Sequence, residues 1–241
     1  MYMSENIHIF MCTWKRIHNL NTLLENLNDQ TCSPQIIFNI WNNNIDEKNN
    51  IYTIINSAKD IKYKINVEHS EKNMYAFGRY LYMKQLYDEY KFKYAIIIDD
   101  DQLFSNDYFE KLWNLRKKNT FITWYGAILN GRKYWDRSVI NIQDIIFGRK
   151  REIQEYEYGG PGGSIIDVSI VLEENFMKEQ EKYILADDLW LSYYVKNKLN
   201  WRIERSFLIP ILLETQDDLR HAMWTLYANK KEKIYEELRK N

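Results

Sequence analysis

The sequence predicts an α/β fold in which a central, mostly parallel sheet is flanked by helices. Four short apolar runs of strand type occur in the first hundred residues, helical segments separate them, and an acidic cluster follows the last run. Parallel strands need crossover connections, which are usually helices, so this alternation is typical of βαβ units. A chain of 241 residues is long enough for one large domain, and one domain is the default expectation.

The strands are predicted from short runs of apolar and β-branched residues. The first run covers residues 7–14, the second 34–41, the third 63–69 and the fourth 94–98. Three consecutive asparagines, residues 42–44, predict a loop after the second strand.

Helices are predicted between these strands from the spacing of apolar residues. Ile17, Leu20, Leu24 and Leu27 recur at intervals of three or four residues, which puts them on one face of a helix. A longer helix is predicted over residues 73–92, directly before the fourth strand.

The second half of the chain is less regular. Strands are predicted over residues 120–129 and 138–147, and a glycine-rich loop over 158–167 leads into a short strand. Residues 186–199 predict a helix with acidic residues in its first turn, and the charged tail 215–241 is predicted to be mostly helical. No repeat or linker divides the chain, so residues 1–241 are treated as a single domain.

Composition and charge restrict the choice of partners and location. Lys and Arg number 33 against 34 Asp and Glu, so the net charge of −1 gives no reason to expect nucleic acid or an anionic membrane as a partner. Two cysteines, Cys12 and Cys32, cannot form a disulfide scaffold, which fits a reducing compartment. The longest apolar stretch, residues 207–213, is far shorter than the roughly 18 residues that span a bilayer. We therefore expect a cytoplasmic protein without a membrane span.

Three consecutive carboxylates, Asp99, Asp100 and Asp101, follow the fourth predicted strand. Open α/β sheets bind ligands beyond the carboxyl ends of their strands. Neighbouring carboxylates repel one another unless a cation is present, and their hard oxygens suit Mg²⁺ or Mn²⁺ together with phosphate oxygens. The cluster therefore predicts a metal and diphosphate site. The alternative is a solvated turn in which the aspartates cap the following segment.

Compatible groups follow the other strands. Thr13 and Arg16 come after the first strand, and Asn43 comes after the second. Arg79, near the start of the long helix, can reach a phosphate or pair with the acidic cluster, or it is an ordinary surface or ion-paired arginine.

In this order the segments resemble the GT-A class of nucleotide-sugar glycosyltransferases. The matching segments are CTWKR, WNNN, NMYAFGR, IIIDDDQ, YGGPGGSIID and ADDLWLSYYV, and they cover most of residues 7–194. The resemblance implies a Rossmann-like GT-A domain with a smaller mixed sheet on the acceptor side. Residues 1–104 would form the nucleotide-binding half, 105–214 the donor-sugar and acceptor half, and 215–241 a C-terminal helical tail.

The resemblance also implies a donor site. Asp99 would face the ribose, and Asp101 would ligate a Mn²⁺ or Mg²⁺ ion that bridges the two phosphates, with Asp100 between them among the donor-binding residues. His221 stands late in the chain, where such enzymes often supply a further metal ligand. The remaining residues implied to bind the nucleotide sugar are Thr13, Arg16, Asn43, Arg79, Gly162 and Gly163.

A second acidic site would activate the acceptor. Asp188 matches the catalytic base of inverting members, but the family more often has Glu where this chain has Asp187, so the choice between the two stays open. Both could instead be ordinary charges at a helix N-terminus. Glycosyl transfer needs these two kinds of site, because the leaving diphosphate must be neutralised while a carboxylate deprotonates the incoming hydroxyl.

The expected activity is metal-dependent transfer of a sugar from a nucleotide diphosphate sugar, UDP being the commonest in the class, to a glycan or other hydroxyl acceptor with inversion. One alternative is a sugar nucleotidyltransferase, although the turn after the first strand lacks the glycines that a phosphate loop needs. The other is a glycan-binding or nucleotide-sugar-binding protein without catalysis. The resemblance is to bacterial or large-DNA-virus enzymes, so the expected location is the cytoplasm, or the host cytoplasm for a viral protein.

Overall fold

The computed structural model describes residues 6–129, 131, 133–139, 155–213 and 226–240. These residues form a seven-stranded sheet, a three-stranded sheet and a two-stranded ribbon, with helices packed around them. The strands are β1 (Ile7–Thr13), β2 (Ile36–Asn42), β3 (Lys64–His69), β4 (Tyr94–Asp99), β5 (Gln102–Leu103), β6 (Thr120–Thr123), β7 (Gly126–Ile128), β8 (Ser138–Val139), β9 (Tyr158–Gly159), β10 (Ser164–Asp167), β11 (Arg202–Arg205) and β12 (Ile211–Leu212). The helices are α1 (Leu20–Asn28), α2 (Lys48–Ser57), α3 (Gly78–Tyr90), α4 (Tyr108–Asn114), α5 (Glu174–Lys178), α6 (Gln180–Tyr183), α7 (Asp187–Tyr193) and α8 (Ala228–Leu238).

The central sheet has the strand order β11-β6-β10-β4-β1-β2-β3. Strands β3, β2, β1 and β4 are parallel neighbours, β10 runs antiparallel to both β4 and β6, and β11 runs parallel to β6. The predicted fold class is therefore confirmed. In the register of the sheet Thr13 pairs with Asn42, and Cys12 pairs with Asp99. The carboxyl ends of β1, β2 and β4 thus meet at one edge.

Two small antiparallel sheets complete the described fold. Strands β8, β7 and β9 form the predicted smaller sheet, and all of its pairs are antiparallel. Strand β12 pairs with β5, just after the acidic cluster, and the Leu213 amide donates to the Asp101 carbonyl at 2.7 Å.

Apolar residues on both faces of the central sheet hold the helices in place. Successive side chains of a strand point to opposite faces, so Ile96 and Ile98 belong to one core cluster and Ile97 to the other. Helix α1 buries its predicted leucine stripe in the first cluster, and α3 and α7 pack in the second. Each fully buried aliphatic side chain contributes about 1.5–3 kcal/mol relative to exposure.

The predicted strand over residues 120–129 is two strands in different sheets. Strand β6 ends at Thr123 and β7 begins at Gly126. The Thr123 hydroxyl donates its one proton to the Gly160 carbonyl at 2.5 Å, which gives a backbone carbonyl at the break a partner. An apolar run does not show such a change of sheet.

Other element boundaries also differ from the sequence-based expectation. The helix predicted from residue 73 begins at Gly78, after a 3₁₀ turn in which Tyr75 has a left-handed φ of 49°. The helix predicted over 186–199 becomes a π turn at residues 194–198. The greater part of the predicted strand 138–147 and of the tail before α8 lies outside the described residues. None of the helices in the described parts of the chain is long and apolar enough to cross a membrane.

Candidate functional site

A cleft of about 270 Å³ lies at the carboxyl edge of β1, β2 and β4. It brings together residues that the sequence places far apart. The predicted site residues that line it are Thr13, Arg16, Asn43, Arg79, Asp99, Asp100, Asp101, Asp187 and Asp188. Gly162 and Gly163 lie beside it in the loop between β9 and β10, whereas His221 lies outside the described residues.

The three consecutive aspartates have different surroundings. Asp100 is buried, and its Oδ1 lies 2.6 Å from Nη2 of Arg16. Asp101 Oδ2 accepts a hydrogen bond from Nη1 of the same arginine at 2.5 Å. The Asp99 side chain is 39% exposed and pairs with Arg79 instead. One guanidinium therefore serves two carboxylates, and the third carboxylate faces the cleft.

Burial makes this cluster hard to ionise completely. It raises the pKa of Asp100 to about 7, and the nearby Arg16 offsets only part of that effect. Burial and the neighbouring Asp99 also raise the pKa of Asp101. Burial opposes the charge of Arg16 as well, but the three aspartates outweigh it and raise the pKa of the guanidinium. A further cation would stabilise the ionised cluster.

Arg79 joins the two acidic parts of the cleft. Only 3% of its side chain is exposed. Nη1 lies 2.9 Å from Asp99 Oδ1, Nη2 lies 3.1 Å from Asp187 Oδ2, and Nε donates to the Ala76 carbonyl at 2.9 Å. Arg79 is thus a buried bridge between the acidic cluster and helix α7, and not a surface arginine.

The paired aspartates at the start of α7 are buried, so they are not ordinary solvent-exposed helix charges. Asp188 Oδ2 accepts hydrogen bonds from the Tyr158 hydroxyl and the Lys231 ammonium, and Oδ1 accepts one from the Leu189 amide at 2.8 Å. Burial alone would raise the pKa of Asp188, but Lys231 and the other donors outweigh it and lower that pKa. Burial raises the pKa of Asp187 to about 6, although Arg79 opposes the shift. The pKa values of the two carboxyls are therefore shifted in opposite directions.

The glycine-rich loop lies against Asp99. A Cβ atom on Gly162 would lie 2.0 Å from Asp99 Oδ2, so only glycine leaves this carboxylate where it is. Gly163 has a φ of +72°, and its amide donates to the Ile97 carbonyl at 2.8 Å. The loop thus approaches the acidic cluster as closely as backbone can.

The polar side chains at the ends of β1 and β2 help to shape the cleft. Asn43 Oδ1 accepts from the Trp41 indole (2.9 Å) and the Met74 amide (2.8 Å), while Nδ2 donates to the Tyr75 carbonyl (2.8 Å). Asn43 therefore positions the turn before α3, and among the described residues one N–H of its amide is left for a ligand. Thr13 is buried, and its backbone carbonyl accepts a hydrogen bond from the backbone N–H of Asn43 at 2.9 Å.

Sequence reasoning missed several residues in or directly beside the cleft. Tyr158 and Lys231 both bind Asp188, and the rings of Tyr75 and Tyr227 meet edge to face at 5.9 Å. The spacing of Lys231, four residues before the buried Tyr235, could have marked the buried face of α8. Because Lys231 is surrounded by other charged residues in the sequence, this face of the helix reads as solvent-exposed.

The donor set of the acidic cluster fits a hard divalent cation. Asp101 uses Oδ2 for Arg16, which leaves Oδ1, and the partly exposed Asp99 lies near enough to raise the pKa of Asp101. The described residues contain no group of three or more His, Cys, Asp or Glu side chains that could hold a metal ion. Mg²⁺ and related ions commonly take one or two protein carboxylates and complete their shell with phosphate oxygens and water. The arrangement therefore suits a cation bound together with a diphosphate.

Comparisons with known proteins identify the fold. No family model matches the chain, and no curated protein matches its sequence. Among solved structures, residues 1–349 of TarS from S. aureus match with a TM-score of 0.56 and 14% identity, over 83% of this chain and 58% of that chain. A mannosyltransferase from Pyrobaculum calidifontis, in complex with GDP-Man and Mn²⁺, matches with a TM-score of 0.56 and 7% identity, over 85% and 55% of the two chains. GalNAc-T7 with UDP, GalNAc and Mn²⁺ matches with a TM-score of 0.52 and 10% identity, over 83% and 41%.

The chain therefore has the GT-A fold of nucleotide-sugar glycosyltransferases. It spans a little over half of the length of the first two structures that it matches.

Proposed function

We propose that this chain is a metal-dependent glycosyltransferase that moves a sugar from a nucleotide diphosphate sugar to an acceptor hydroxyl. The observation that carries the proposal is a single cleft, at the carboxyl edge of a GT-A sheet, that contains both an acidic cluster and a second pair of buried carboxylates. Structures with the same fold contain UDP, or GDP-Man and Mn²⁺, which supports a nucleotide sugar and a divalent cation here.

The donor occupies the side of the cleft formed by β1, β2 and β4. Asp101 would hold the cation, with His221 as a further candidate ligand, and Asp99 would face the ribose. When bound, the cation would neutralise the charge that develops on the diphosphate leaving group. Gly162 and Gly163 let the backbone approach the donor sugar. The side chains that line the nucleotide pocket are Thr13, Arg16, Asn43, Arg79, Asp99 and Asp100.

The acceptor is activated at the start of α7. Asp188 takes the proton of the acceptor hydroxyl, the acceptor oxygen forms a bond to the anomeric carbon, and the bond between that carbon and the diphosphate breaks. A direct displacement of this kind inverts the anomeric configuration. Asp187 is the alternative base, because burial raises its pKa to about 6, which suits proton transfer near neutral pH. UDP is the proposed nucleotide, because it is the commonest in the class.

We also infer that residues 1–241 form one domain that acts in the cytoplasm, without nucleic acid as a partner. The near-neutral net charge and two free cysteines support this inference.

A panel of UDP- and GDP-sugars tests the proposal. The wild-type chain should release UDP or GDP in the presence of Mn²⁺ and not in EDTA. Asp101→Asn should lose metal-dependent donor binding, because it removes the carboxylate proposed to hold the cation. Asp188→Asn should keep donor binding and lose turnover. Asp107→Asn, an exposed carboxylate on the N-terminal side of α4, is the matched control and should behave like the wild type.

The outcomes separate the alternatives. Binding of nucleotide sugars without turnover by the wild type would indicate a non-catalytic binding protein, and no binding at all would refute the proposal. Loss of donor binding in both active-site variants would contradict the separation of roles between Asp101 and Asp188.

A further inference from the structure

Lys231 reaches into the cleft from the C-terminal helix α8. Its partner Asp188 lies 43 residues earlier in the chain, and their side chains are only 10% and 12% exposed. The Lys231 ammonium donates to Asp188 Oδ2 and also lies 5.6 Å from the ring centre of Tyr134. Lysine is almost never buried unless it is paired, so this contact determines where the side chain lies.

Three donors fix the Asp188 carboxylate. The Tyr158 hydroxyl and the Lys231 ammonium share Oδ2, and the Leu189 amide binds Oδ1. The Tyr158 ring is itself held by Tyr134, with ring centres 5.7 Å apart. A carboxylate accepts about four hydrogen bonds, so the three donors found among the described residues leave one position for an acceptor hydroxyl. The orientation of Asp188 is thus fixed while it keeps capacity to accept a proton.

Within the part of the chain that the structure describes, Lys231 is the cation in direct contact with Asp188. Arg79, another buried cation of the cleft, is occupied by Asp99 and Asp187. The Tyr134 ring and the Tyr158 hydroxyl also lie beside this pair, and both are uncharged at neutral pH because burial raises the pKa of each tyrosine. The titratable and charged groups that face this carboxylate from α3, the 3₁₀ turn at 134–136, β9, α7 and α8 are Arg79, Tyr80, Tyr134, Tyr158, Asp187 and Lys231.

We propose that Lys231 is a positioning residue for glycosyl transfer: with Tyr158, it orients Asp188 and holds it in the ionised form that accepts the acceptor proton. This inference rests on the proposed function. It makes α8 a part of the catalytic centre and not only a cover over the core.

A purely structural ion pair makes a different prediction from a positioning pair. If Lys231 only anchors α8, its loss lowers stability and leaves the pH dependence of turnover unchanged. If Lys231 keeps Asp188 ionised, its loss also moves the acidic limb of the pH profile to higher pH. A contact of this kind changes a carboxyl pKa by about 1–3 units.

The experiment compares Lys231→Met with Lys231→Arg and with Lys233→Met, which removes an exposed lysine from the same helix. Turnover is measured as UDP or GDP release, with the donor that the wild type uses best, between pH 4.5 and 8.5. The carboxyl pKa of Asp188 is measured by ¹³C NMR on protein labelled at aspartate Cγ, with Asp188→Asn to assign the signal. Lys231→Met should raise that pKa and shift the acidic limb of kcat by about one unit or more, with donor Kd unchanged. Lys231→Arg should restore the wild-type limb, and Lys233→Met should match the wild type.

The inference is overturned if Lys231→Met keeps both the wild-type pH profile and the wild-type pKa of Asp188. Should Lys231→Met fail to fold, Tyr158→Phe decides, since it removes a second donor to the same oxygen and should shift the limb in the same direction by less. An unchanged limb in Tyr158→Phe would then refute the inference. If the wild type turns over no nucleotide sugar, the proposed function is wrong and this inference is wrong with it. If the wild type is active and the pH profile of Lys231→Met is unshifted, only this inference is wrong.

Discussion

Three cations divide the carboxylates of the cleft into three groups. Arg16 serves Asp100 and Asp101, Arg79 serves Asp99 and Asp187, and Lys231 serves Asp188. Burial raises the pKa of Asp187 to about 6 although Arg79 opposes the shift, whereas Lys231 and the other donors outweigh burial and lower the pKa of its neighbour Asp188. Adjacent groups whose surroundings push their pKa values apart are typical of acid–base sites.

The raised pKa of Asp187 predicts a pH dependence of stability. Its value in the folded chain, about 6, lies above the ordinary 3.8, so the stability that it contributes is present below about pH 4 and is lost as pH rises through 6. Asp187→Asn removes this loss. Relative to the wild type, the free energy of unfolding of the variant should therefore rise by up to about 3 kcal/mol between pH 4 and pH 8.

Urea unfolding at several pH values measures this difference. Asp88→Asn is the control, because the Asp88 side chain is 85% exposed and should show no comparable trend. An Asp187→Asn curve that stays parallel to the wild-type curve over this range would contradict the burial argument.

Replacing Gly162 by alanine is predicted to weaken nucleotide binding and to change stability little. Its φ is outside the left-handed region, so alanine is compatible with the backbone, but the new Cβ would collide with Asp99. Gly162→Ala should displace that carboxylate and reduce Mn²⁺-dependent nucleotide binding by about tenfold or more, the equivalent of about 1.4 kcal/mol. Gly160→Ala is the control in the same loop, because its Cβ would press only on the Tyr125 ring, at 3.1 Å, and would not displace Asp99. Equal nucleotide affinity in the two variants, measured by calorimetry, would argue against a role for Asp99.

The helices and strands differ in how well the sequence predicts them. Strands β1, β2 and β4 are buried on both faces and read as continuous apolar runs, so the site residues at their ends could be found from the sequence. The break between β6 and β7 could not be predicted from the sequence, because it depends on a hydrogen bond from the Thr123 hydroxyl to the Gly160 carbonyl, which lies 37 residues further along the chain. The face of α8 that meets the cleft could not be identified either, since its burial depends on packing against distant segments.

Helix α8 is predicted to be an integral part of the folded domain. Leu238, near its C-terminal end, is 4% exposed in the core cluster that contains α3 and α7. Leu238→Ala should lower the free energy of unfolding by about 2–4 kcal/mol through lost burial and a residual cavity. Leu172→Ala, at a leucine that is 46% exposed, is the control and should change stability by less than about 0.5 kcal/mol. Urea denaturation of both variants measures the effect, and a Leu238→Ala variant as stable as the control would show that α8 is only loosely attached.

For the molecule as a whole, the sequence predicted the fold class and the edge of the sheet at which the cleft lies. Alternating apolar runs and helical spacing were sufficient to predict the sheet. The positions of the strand ends were sufficient to predict that Thr13, Asn43 and Asp99 lie at one site. The pairing of charges was not predictable. Which carboxylate Arg16, Arg79 or Lys231 neutralises depends on distances between segments that lie tens of residues apart.

The central proposal is that the cleft binds a nucleotide diphosphate together with a divalent cation. The charges of the described residues that line it support this arrangement: five carboxylates face four cations, namely Lys15, Arg16, Arg79 and Lys231, before a diphosphate adds more negative charge. Binding of the diphosphate should therefore require an added cation.

Thermal unfolding of the wild-type chain with UDP or GDP, each with Mn²⁺ and with EDTA, tests this requirement most directly. At about 100 times its dissociation constant, one of the two nucleotides should stabilise the protein by roughly 2.7 kcal/mol with Mn²⁺ and much less with EDTA. Equal stabilisation in EDTA, or none with either nucleotide in Mn²⁺, would contradict the proposal.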